Sequence, residues 1–247
     1  TDNAGNVKRY EYEDTYSNVT KITDALGNIT TMSYDAKGNL TELRTPNSQL
    51  TTFSYNSIGK PVSVTYALNN TTTMEYDASG NLIRTTDPLG NASQMAYDIL
   101  NRLLKITDAK GKETLYNYDR MGRIQTVTDP LNSITRYFYE SDGKLSAVID
   151  AKNQEIKYNY DSRGRLIKMT DQLGNAERYT YDTSDNLRTV TDRKGQATTY
   201  TYDAMKRITR AAYADGSYTT YKYDTIGRLT TITDSISGAI TYTYSSS

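Results

Sequence analysis

Several residue types that usually carry chemistry are absent or rare in this sequence. The 247 residues include no cysteine, histidine or tryptophan, two phenylalanines and four prolines. Without histidine and cysteine, the chain lacks the commonest general base, a thiolate nucleophile and the usual zinc ligands, and it forms no disulfide. Aspartate and glutamate are plentiful, but the recurring aspartates fall in predicted turns. We therefore expect no enzyme activity and no catalytic, cofactor-binding or metal-binding residues.

The sequence also lacks an excess of charge and any long apolar run. Lysine plus arginine and aspartate plus glutamate number 29 each, and no long stretch carries one sign. This balance argues against binding to nucleic acid or to an anionic membrane surface. No apolar run approaches the roughly 18 residues of a membrane helix, so membrane insertion is not expected. Because the mean hydropathy is −0.73, much of the buried area must come from the 24 tyrosines.

What the sequence does contain is a strict repeat. A tyrosine recurs every 21 residues, and another large side chain, such as Met95 or Tyr158, stands two residues before each of these tyrosines. We call these tyrosines the anchors, at position 1 of each repeat: Tyr34, Tyr55, Tyr76, Tyr97, Tyr118, Tyr139, Tyr160, Tyr181, Tyr202, Tyr223 and Tyr244. The preceding interval, from Tyr12 to Tyr34, is 22 residues, so we expect the irregular stretch of residues 11–18 to form a widened loop. A fixed period of this kind indicates a repeat architecture.

Each repeat contains two turns of the form Asp-x-x-Gly, which we call the first and second turns. Aspartate suits the start of a type I turn, and glycine suits its end, where the chain enters the left-handed region. Representative turn residues are Asp35, Gly38, Asp77, Gly80, Asp87, Gly90, Asp119, Gly122, Asp161, Gly164, Asp171, Gly174, Asp224 and Gly227. Where glycine is missing, we expect Ser48, Asn69, Asn101, Asn132, Asn153, Asp185, Lys206 and Ser237 in its place. Turn formation explains the aspartates better than calcium binding, because the alternating acidic ligands of a calcium loop are missing.

The segments between the turns are short and rich in Thr, Tyr, Val and Ile, which suits β-strands. In "TTYTY" at residues 198–202 the large side chains alternate, so one face of the strand is aromatic. Three-residue loops would pair Tyr160 with Leu166 and Met169 with Glu177. Leu166 and Met169 then both lie on this tyrosine face only if the strand contains one extra residue between them, which is a β-bulge.

The predicted fold class is all-β: a repeat array of 21-residue β-hairpin units that forms one long, coiled antiparallel sheet. The alternative is a parallel β-solenoid with one repeat per rung. Hairpins place Tyr160 beside Leu166, whereas a solenoid stacks Tyr160 on Tyr181 at about 4.8 Å. We expect a single array over residues 1–247, with about eleven repeats from Tyr12 to Tyr244. Because residue 1 lies inside a repeat, we expect a fragment of a longer protein.

An arginine or lysine follows the glycine position of many first turns. Examples are Arg102, Arg123, Lys144, Arg165 and Arg228. We expect each to lie near the anchor tyrosine across its hairpin. There it either caps the tyrosine ring as a cation–π pair or remains a solvated cation, and the sequence leaves both interpretations open.

The frame Tyr-Asp-x-x-Gly-(Arg/Asn)-Leu-x-x-Val-Thr-Asp-x-x-Gly, as in "YDASGNLIRTTDPLG" at residues 76–90, resembles the YD repeats of the Rhs family. That family includes bacterial polymorphic toxins, the shell subunits of insecticidal toxin complexes, and the teneurins. The resemblance covers almost the whole chain. It implies a YD-repeat shell segment, in which a coiled sheet of hairpins forms a hollow shell and, in the toxins, encloses a C-terminal toxin or effector domain.

Two functions are compatible with this pattern. The first is a structural scaffold in the shell of a secreted or cell-surface protein, with a bacterial parent, whose partner is the C-terminal toxin or effector domain of the same chain. The alternative is an extracellular adhesion or carbohydrate-binding module that recognises a cell-surface glycan or protein. A non-repeating cluster would favour the second, but the breaks at Pro46, Pro61 with Tyr66, and Tyr213 with Tyr218 are scattered in sequence. An open array also exposes two sheet edges, so we expect edge-to-edge self-association.

Overall fold

The computed structural model describes residues 7–244, which form two compact units. The first unit comprises residues 7–117 and 127–132, and the second comprises residues 118–126 and 133–244. The described residues contain one short 3-10 helix, η1 (Ala67–Asn69), and 23 strands. The strands are β1 (Arg9–Tyr12), β2 (Val19–Thr23), β3 (Ile29–Tyr34), β4 (Leu40–Arg44), β5 (Leu50–Tyr55), β6 (Pro61–Thr65), β7 (Thr71–Tyr76), β8 (Leu82–Thr86), β9 (Ala92–Tyr97), β10 (Leu103–Thr107), β11 (Glu113–Tyr118), β12 (Ile124–Thr128), β13 (Ile134–Tyr139), β14 (Leu145–Ile149), β15 (Glu155–Tyr160), β16 (Leu166–Thr170), β17 (Ala176–Tyr181), β18 (Leu187–Thr191), β19 (Ala197–Tyr202), β20 (Ile208–Ala212), β21 (Tyr218–Tyr223), β22 (Leu229–Asp234) and β23 (Gly238–Thr241).

Within each unit the strands pair antiparallel with their neighbours in the chain. In the first unit each of β1 to β10 pairs with the strand that follows it. In the second unit the same holds for β13 to β22. Tyr160 pairs with Leu166, and Met169 pairs with Glu177. The prediction of an all-β array of antiparallel hairpins is therefore confirmed, and a parallel solenoid is excluded for both units.

In the hairpins within each unit, the predicted β-bulge lies at the second residue of the strand that follows the first turn. In β16, Leu166 pairs with Tyr160 and Lys168 pairs with Asn159, so Ile167 is the extra residue. Met169 then pairs with Tyr158. Because directly opposed residues share a face of the sheet, the bulge brings both Leu166 and Met169 onto the tyrosine face.

The turns have the conformation that the Asp-x-x-Gly spacing predicts. In the turn after β15, the Gly164 amide donates to the Asp161 carbonyl at 2.9 Å, and Gly164 has a φ of 80°. Left-handed backbone is easiest for glycine because it has no Cβ. Seven of the eight expected substitutes also have positive φ: Ser48, Asn69, Asn101, Asn132, Asn153, Asp185 and Lys206.

Two loops differ from the sequence-based expectation. The prediction for Ser237 was wrong, because the positive φ of that turn falls on Gly238 at 92°. There the Ser235 amide donates to the Tyr218 carbonyl, which extends pairing by one residue and moves the end of the turn. The first loop is widened as expected, but it is shorter than residues 11–18: Glu11 and Tyr12 belong to β1, and Tyr12 pairs with Val19.

The array has no conventional core. Among residues 7–244, the buried side chains are Ala147, Ala211, Asp171 and Thr219, and no large side chain is fully buried. Most tyrosines of the repeat are half-buried. Neighbouring hairpins must therefore be held together mainly by contacts along the sheet rather than by a second packed layer.

Candidate functional site

The best-defined local structure in the chain is the first turn, illustrated by the turn between β15 and β16. The Asp161 carboxylate accepts hydrogen bonds from the Arg163 amide at 2.9 Å and the Arg165 amide at 3.0 Å. These backbone hydrogen bonds, the one from Arg165 above all, and the ion pair with Arg165 hold the pKa of Asp161 below its usual value. The carboxylate is therefore charged at neutral pH, and it holds the turn through the backbone amides of Arg163 and Arg165.

Arg165 connects this turn to the next repeat. Its Nε donates to Asp161 Oδ2 at 2.8 Å and its Nη2 lies 2.7 Å from the same oxygen. The guanidinium carbon lies 4.5 Å from the centre of the Tyr181 ring. The Tyr181 hydroxyl in turn donates to the Leu166 carbonyl at 2.9 Å. We call these four residues a tyrosine clamp, since a charge-assisted pair holds the guanidinium against the ring.

The clamp recurs along the chain. Arginine stacks on the anchor of the following repeat at 4.4 Å in Arg123 with Tyr139, Arg207 with Tyr223 and Arg228 with Tyr244. The corresponding lysines lie farther from the ring, at 5.9 Å for Lys60 with Tyr76 and 5.8 Å for Lys144 with Tyr160. The hydroxyl bond to the preceding repeat, at 2.7 to 3.0 Å, is made by Tyr34, Tyr55, Tyr76, Tyr97, Tyr139, Tyr160, Tyr181, Tyr202, Tyr223 and Tyr244.

The clamp corrects the expected ring partner of Arg165. It also decides between a cation–π pair and a solvated cation. Arg165 was expected to lie near Tyr160, across its own hairpin, but it stacks on Tyr181 of the next repeat. The reason is its bond to Asp161, which directs the side chain along the sheet toward the following hairpin. The cation–π interpretation holds for Arg123, Lys144, Arg165 and Arg228, with this change of partner.

Repeats with asparagine in place of arginine keep the turn but have no cation on the ring. Asn39, Asn81 and Asn186 donate to the Oδ2 of Asp35, Asp77 and Asp182 at 2.9, 3.0 and 2.9 Å. The Asn81 amide also crosses to the next hairpin, where it donates to Asn101 Oδ1 at 2.7 Å rather than stacking on a tyrosine ring. In these repeats the aspartate keeps its local role in the turn, whereas a cation on the next tyrosine ring requires arginine or lysine.

The predicted anchors and turn residues lie where the frame puts them. Each anchor from Tyr34 to Tyr223 is the last residue of an odd-numbered strand from β3 to β21, and Tyr244 lies beyond β23. In the second turns, Asp87 and Asp171 accept hydrogen bonds from the amides of Leu89 and Leu173 at 2.9 Å. These residues lie along the array at intervals of one repeat and converge on no single site.

One cluster departs from the repeat. Tyr213 stands where most second turns have aspartate, and its hydroxyl lies 3.2 Å from Thr219 Oγ1. Thr219 Oγ1 donates to Asp234 Oδ2 at 3.3 Å. Sequence reasoning noted Tyr213 as a break in the frame but found no site there. The available signal was the substitution of tyrosine at a turn position that the frame reserves for aspartate.

Two further features, a metal-holding cluster and a membrane-spanning helix, are absent from the described residues. Between residues 7 and 244, no group of three or more Asp or Glu side chains is placed to hold a metal ion. In the same part of the chain, no helix is long and apolar enough to span a membrane.

Two family models match the sequence. The teneurin YD-shell model matches residues 1–115 and 144–219, and the RHS repeat model matches residues 97–134 and 207–238. Among curated proteins, none matches the chain significantly.

The fold is similar to that of solved toxin-complex structures. The crystal structures of TcdB2-TccC3-Cdc42 and of TcdB2-TccC3 align with a TM-score of 0.57, at 15% and 16% identity over 93% and 92% of this chain. A mutant Tc holotoxin pore of Photorhabdus luminescens aligns with a TM-score of 0.50, at 14% identity over 92% of the chain. The chain spans 15%, 18% and 20% of the length of those three chains. At sequence identities of 14% to 16%, the similarity to these structures shows a shared fold and nothing further.

The 21-residue frame, its antiparallel hairpins with one bulge each, and a family match over most of the sequence agree with one another. On these grounds the chain belongs to the teneurin YD-shell family of RHS and YD-repeat proteins.

Proposed function

We propose that the chain acts as one repeat array in the wall of a hollow shell, and that the shell encloses a C-terminal toxin or effector domain of the same parent protein. The array itself has no catalytic activity in this proposal. The parent protein is secreted or displayed on the cell surface, and its bacterial origin is part of the proposal.

The observation that carries this proposal is the use of the repeated polar side chains within the array. The Tyr181 hydroxyl donates its hydrogen bond to the Leu166 carbonyl. The Asp161 carboxylate accepts hydrogen bonds from its own turn and from the Arg165 side chain. Such groups are unavailable for a reaction centre, because their hydrogen-bonding capacity serves the neighbouring hairpins. A function that resides in the assembled sheet fits this arrangement better than one that resides in a single site.

The solved structures of similar fold support the same proposal. Those structures are toxin complexes and a Tc holotoxin pore. The chain spans at most 20% of the length of those three chains, which fits one stretch of a larger wall. The enclosed domain would then lie outside this stretch of sequence.

Limited proteolysis of the parent protein tests the proposal. The parent is prepared with an epitope tag at its C-terminus, and loss of the tag is followed during protease treatment, with the isolated C-terminal domain as reference. We expect the tagged domain to be protected in the parent and cleaved rapidly in isolation. Protection should be lost when Tyr160 and Tyr181 are both replaced by alanine, because adjacent hairpins then lose two interlocking tyrosines.

The matched control is Leu173→Ser, which changes a second-turn side chain that is 79% exposed and should leave protection intact. Equal cleavage rates of the C-terminal domain in the parent and in isolation would contradict enclosure. Such a result would shift the interpretation toward adhesion, in which the array is displayed without a cargo.

A further inference from the structure

The tyrosine face of the second unit contains a cleft whose lining departs from the repeated frame at Tyr213. Its volume is about 360 Å³, and it lies between the second turns that follow β18 and β20. The floor includes Val190 and Thr198, which pair directly with each other. Val190 also pairs with Tyr179, so opposed side chains place the floor on the tyrosine face. The volume is near the lower end of about 300–1,000 Å³ typical of small-molecule sites.

One wall of the cleft is Tyr213, which is held in a fixed position. Its hydroxyl lies 3.2 Å from Thr219 Oγ1, a residue that is 8% exposed. Thr219 then donates to Asp234, whose pKa is lowered to about 2 by hydrogen bonds from Ser237. The ring is thus anchored by a chain of hydrogen bonds that ends on a charged carboxylate. Preorganisation of this kind lowers the entropy cost of binding a ligand.

The other walls carry two carboxylates with free acceptor capacity. Asp192 Oδ1 accepts the amides of Lys194 and Gln196 at 2.8 Å, and Asp215 Oδ1 accepts the Ser217 amide at 2.9 Å. Within residues 7–244, neither Oδ2 accepts a hydrogen bond or forms an ion pair. In contrast, the Oδ2 of Asp87 is occupied by the Asn91 side chain at 2.8 Å. The cleft therefore combines an aromatic surface with two available negative oxygens.

From this combination we infer that the Tyr213 cleft binds an amino sugar that carries a free ammonium group. The ammonium compensates Asp192 and Asp215, whose like charges face the same small space. The apolar face of a pyranose ring packs on Tyr213, and its hydroxyls exchange hydrogen bonds with Gln196 and Thr198. An anionic ligand is disfavoured by both carboxylates. This site is independent of the shell function proposed above, since its aromatic wall, Tyr213, stands where the frame has aspartate.

Titration with D-glucosamine, followed by two-dimensional NMR of the 247-residue chain, tests the inference. We expect shifts confined to residues near the cleft and a Kd on the order of 1 mM. D-glucose, which has a hydroxyl in place of the ammonium, should bind at least tenfold more weakly. Cadaverine, which has ammonium groups but no ring, should also bind at least tenfold more weakly. Equal binding of either comparison ligand would overturn the assignment to an amino sugar.

Two variants and one control locate the site. Tyr213→Asp restores the residue that the frame prefers, so the fold should be kept while glucosamine binding is lost. Tyr66→Asp makes the same change at the equivalent position of another repeat and should leave binding unchanged. Asp215→Asn keeps the acceptor for the Ser217 amide but removes the charge, and should weaken binding about tenfold. Retained affinity in both Tyr213→Asp and Asp215→Asn, or no binding by the unchanged chain, would overturn the inference.

Discussion

Replacement of Tyr160 tests whether the anchor tyrosines hold neighbouring hairpins together. Tyr160 ends β15, and its hydroxyl donates to the Leu145 carbonyl at 2.9 Å. A buried tyrosine removes about 150–250 Å² from water, and Tyr160 is half-buried, so truncation re-exposes on the order of 100 Å². At about 25 cal/mol per Å² this area is worth about 2.5 kcal/mol. The hydroxyl bond contributes about 1 kcal/mol more. We therefore expect Tyr160→Ala to destabilise by about 3.5 kcal/mol and Tyr160→Phe by about 1 kcal/mol.

Hydrogen exchange is the appropriate assay, because each repeat interacts mainly with its neighbours and the loss should appear as local opening. Peptides from β14 to β16 are compared with peptides from β3 and β4 in the same sample. At about 1.4 kcal/mol per factor of ten, Tyr160→Ala should accelerate exchange near the substitution about three-hundredfold, and Tyr160→Phe about fivefold. The distant peptides should be unchanged.

Asp161→Ala is the matched comparison, since it changes the adjacent residue. It removes the acceptor for the Arg163 and Arg165 amides and breaks the ion pair with Arg165. The hydrogen bond from Arg163 is exposed, so water can replace the lost partner in part. We expect less acceleration of exchange than in Tyr160→Ala. Equal or greater acceleration in Asp161→Ala would refute tyrosine packing as the main source of stability.

Three further predictions concern the turns and the sheet edge. Hydrogen bonds lower the pKa of turn aspartates such as Asp161, and that of Asp234 to about 2. Their stabilisation is complete above the unfolded value of about 3.9 and is lost as pH falls through the folded pKa. Urea unfolding should therefore show falling stability from about pH 4 toward pH 2, and a flat profile there would contradict this linkage. Lys206 has a φ of 62°, so Lys206→Gly should raise the free energy of unfolding by about 1 kcal/mol, and a decrease would show that the side chain outweighs the strain. Ile240 in the exposed strand β23 is 60% exposed; Ile240→Lys should reduce self-association in sedimentation experiments, and unchanged association would exclude that edge.

The register of the hairpins could be predicted from sequence because the loop lengths and the side-chain period constrain it tightly. A three-residue loop fixes the pair Tyr160 and Leu166, and the apolar spacing of Leu166 and Met169 then requires one extra residue between them. Both conclusions follow from the alternation of side chains along a strand. They hold in the structure, with Ile167 as the extra residue.

The direction of the side chains could not be predicted in the same way. The period shows that the repeat positions of Arg165 and Tyr181 recur. It does not show whether the long arginine side chain turns toward its own hairpin or toward the next one. That choice depends on the bond from Arg165 to Asp161, a three-dimensional feature. Gly238 is a similar case, because a single added backbone bond moved the turn by one residue.

The clamp also explains how a sheet with almost no buried residues can be extended by repetition. Tyr181 reaches back to the Leu166 carbonyl, and Arg165 reaches forward onto the Tyr181 ring, so side chains cross this hairpin boundary in both directions. These contacts require only the neighbouring repeat, and they therefore add up with the number of repeats rather than with the thickness of a core. Stability that depends on contacts between neighbouring repeats suits a shell wall, because repeats can be added without a second packed layer of secondary structure. The clamp makes no use of position 12 of the frame, which is where Tyr213 replaces aspartate and the cleft is found.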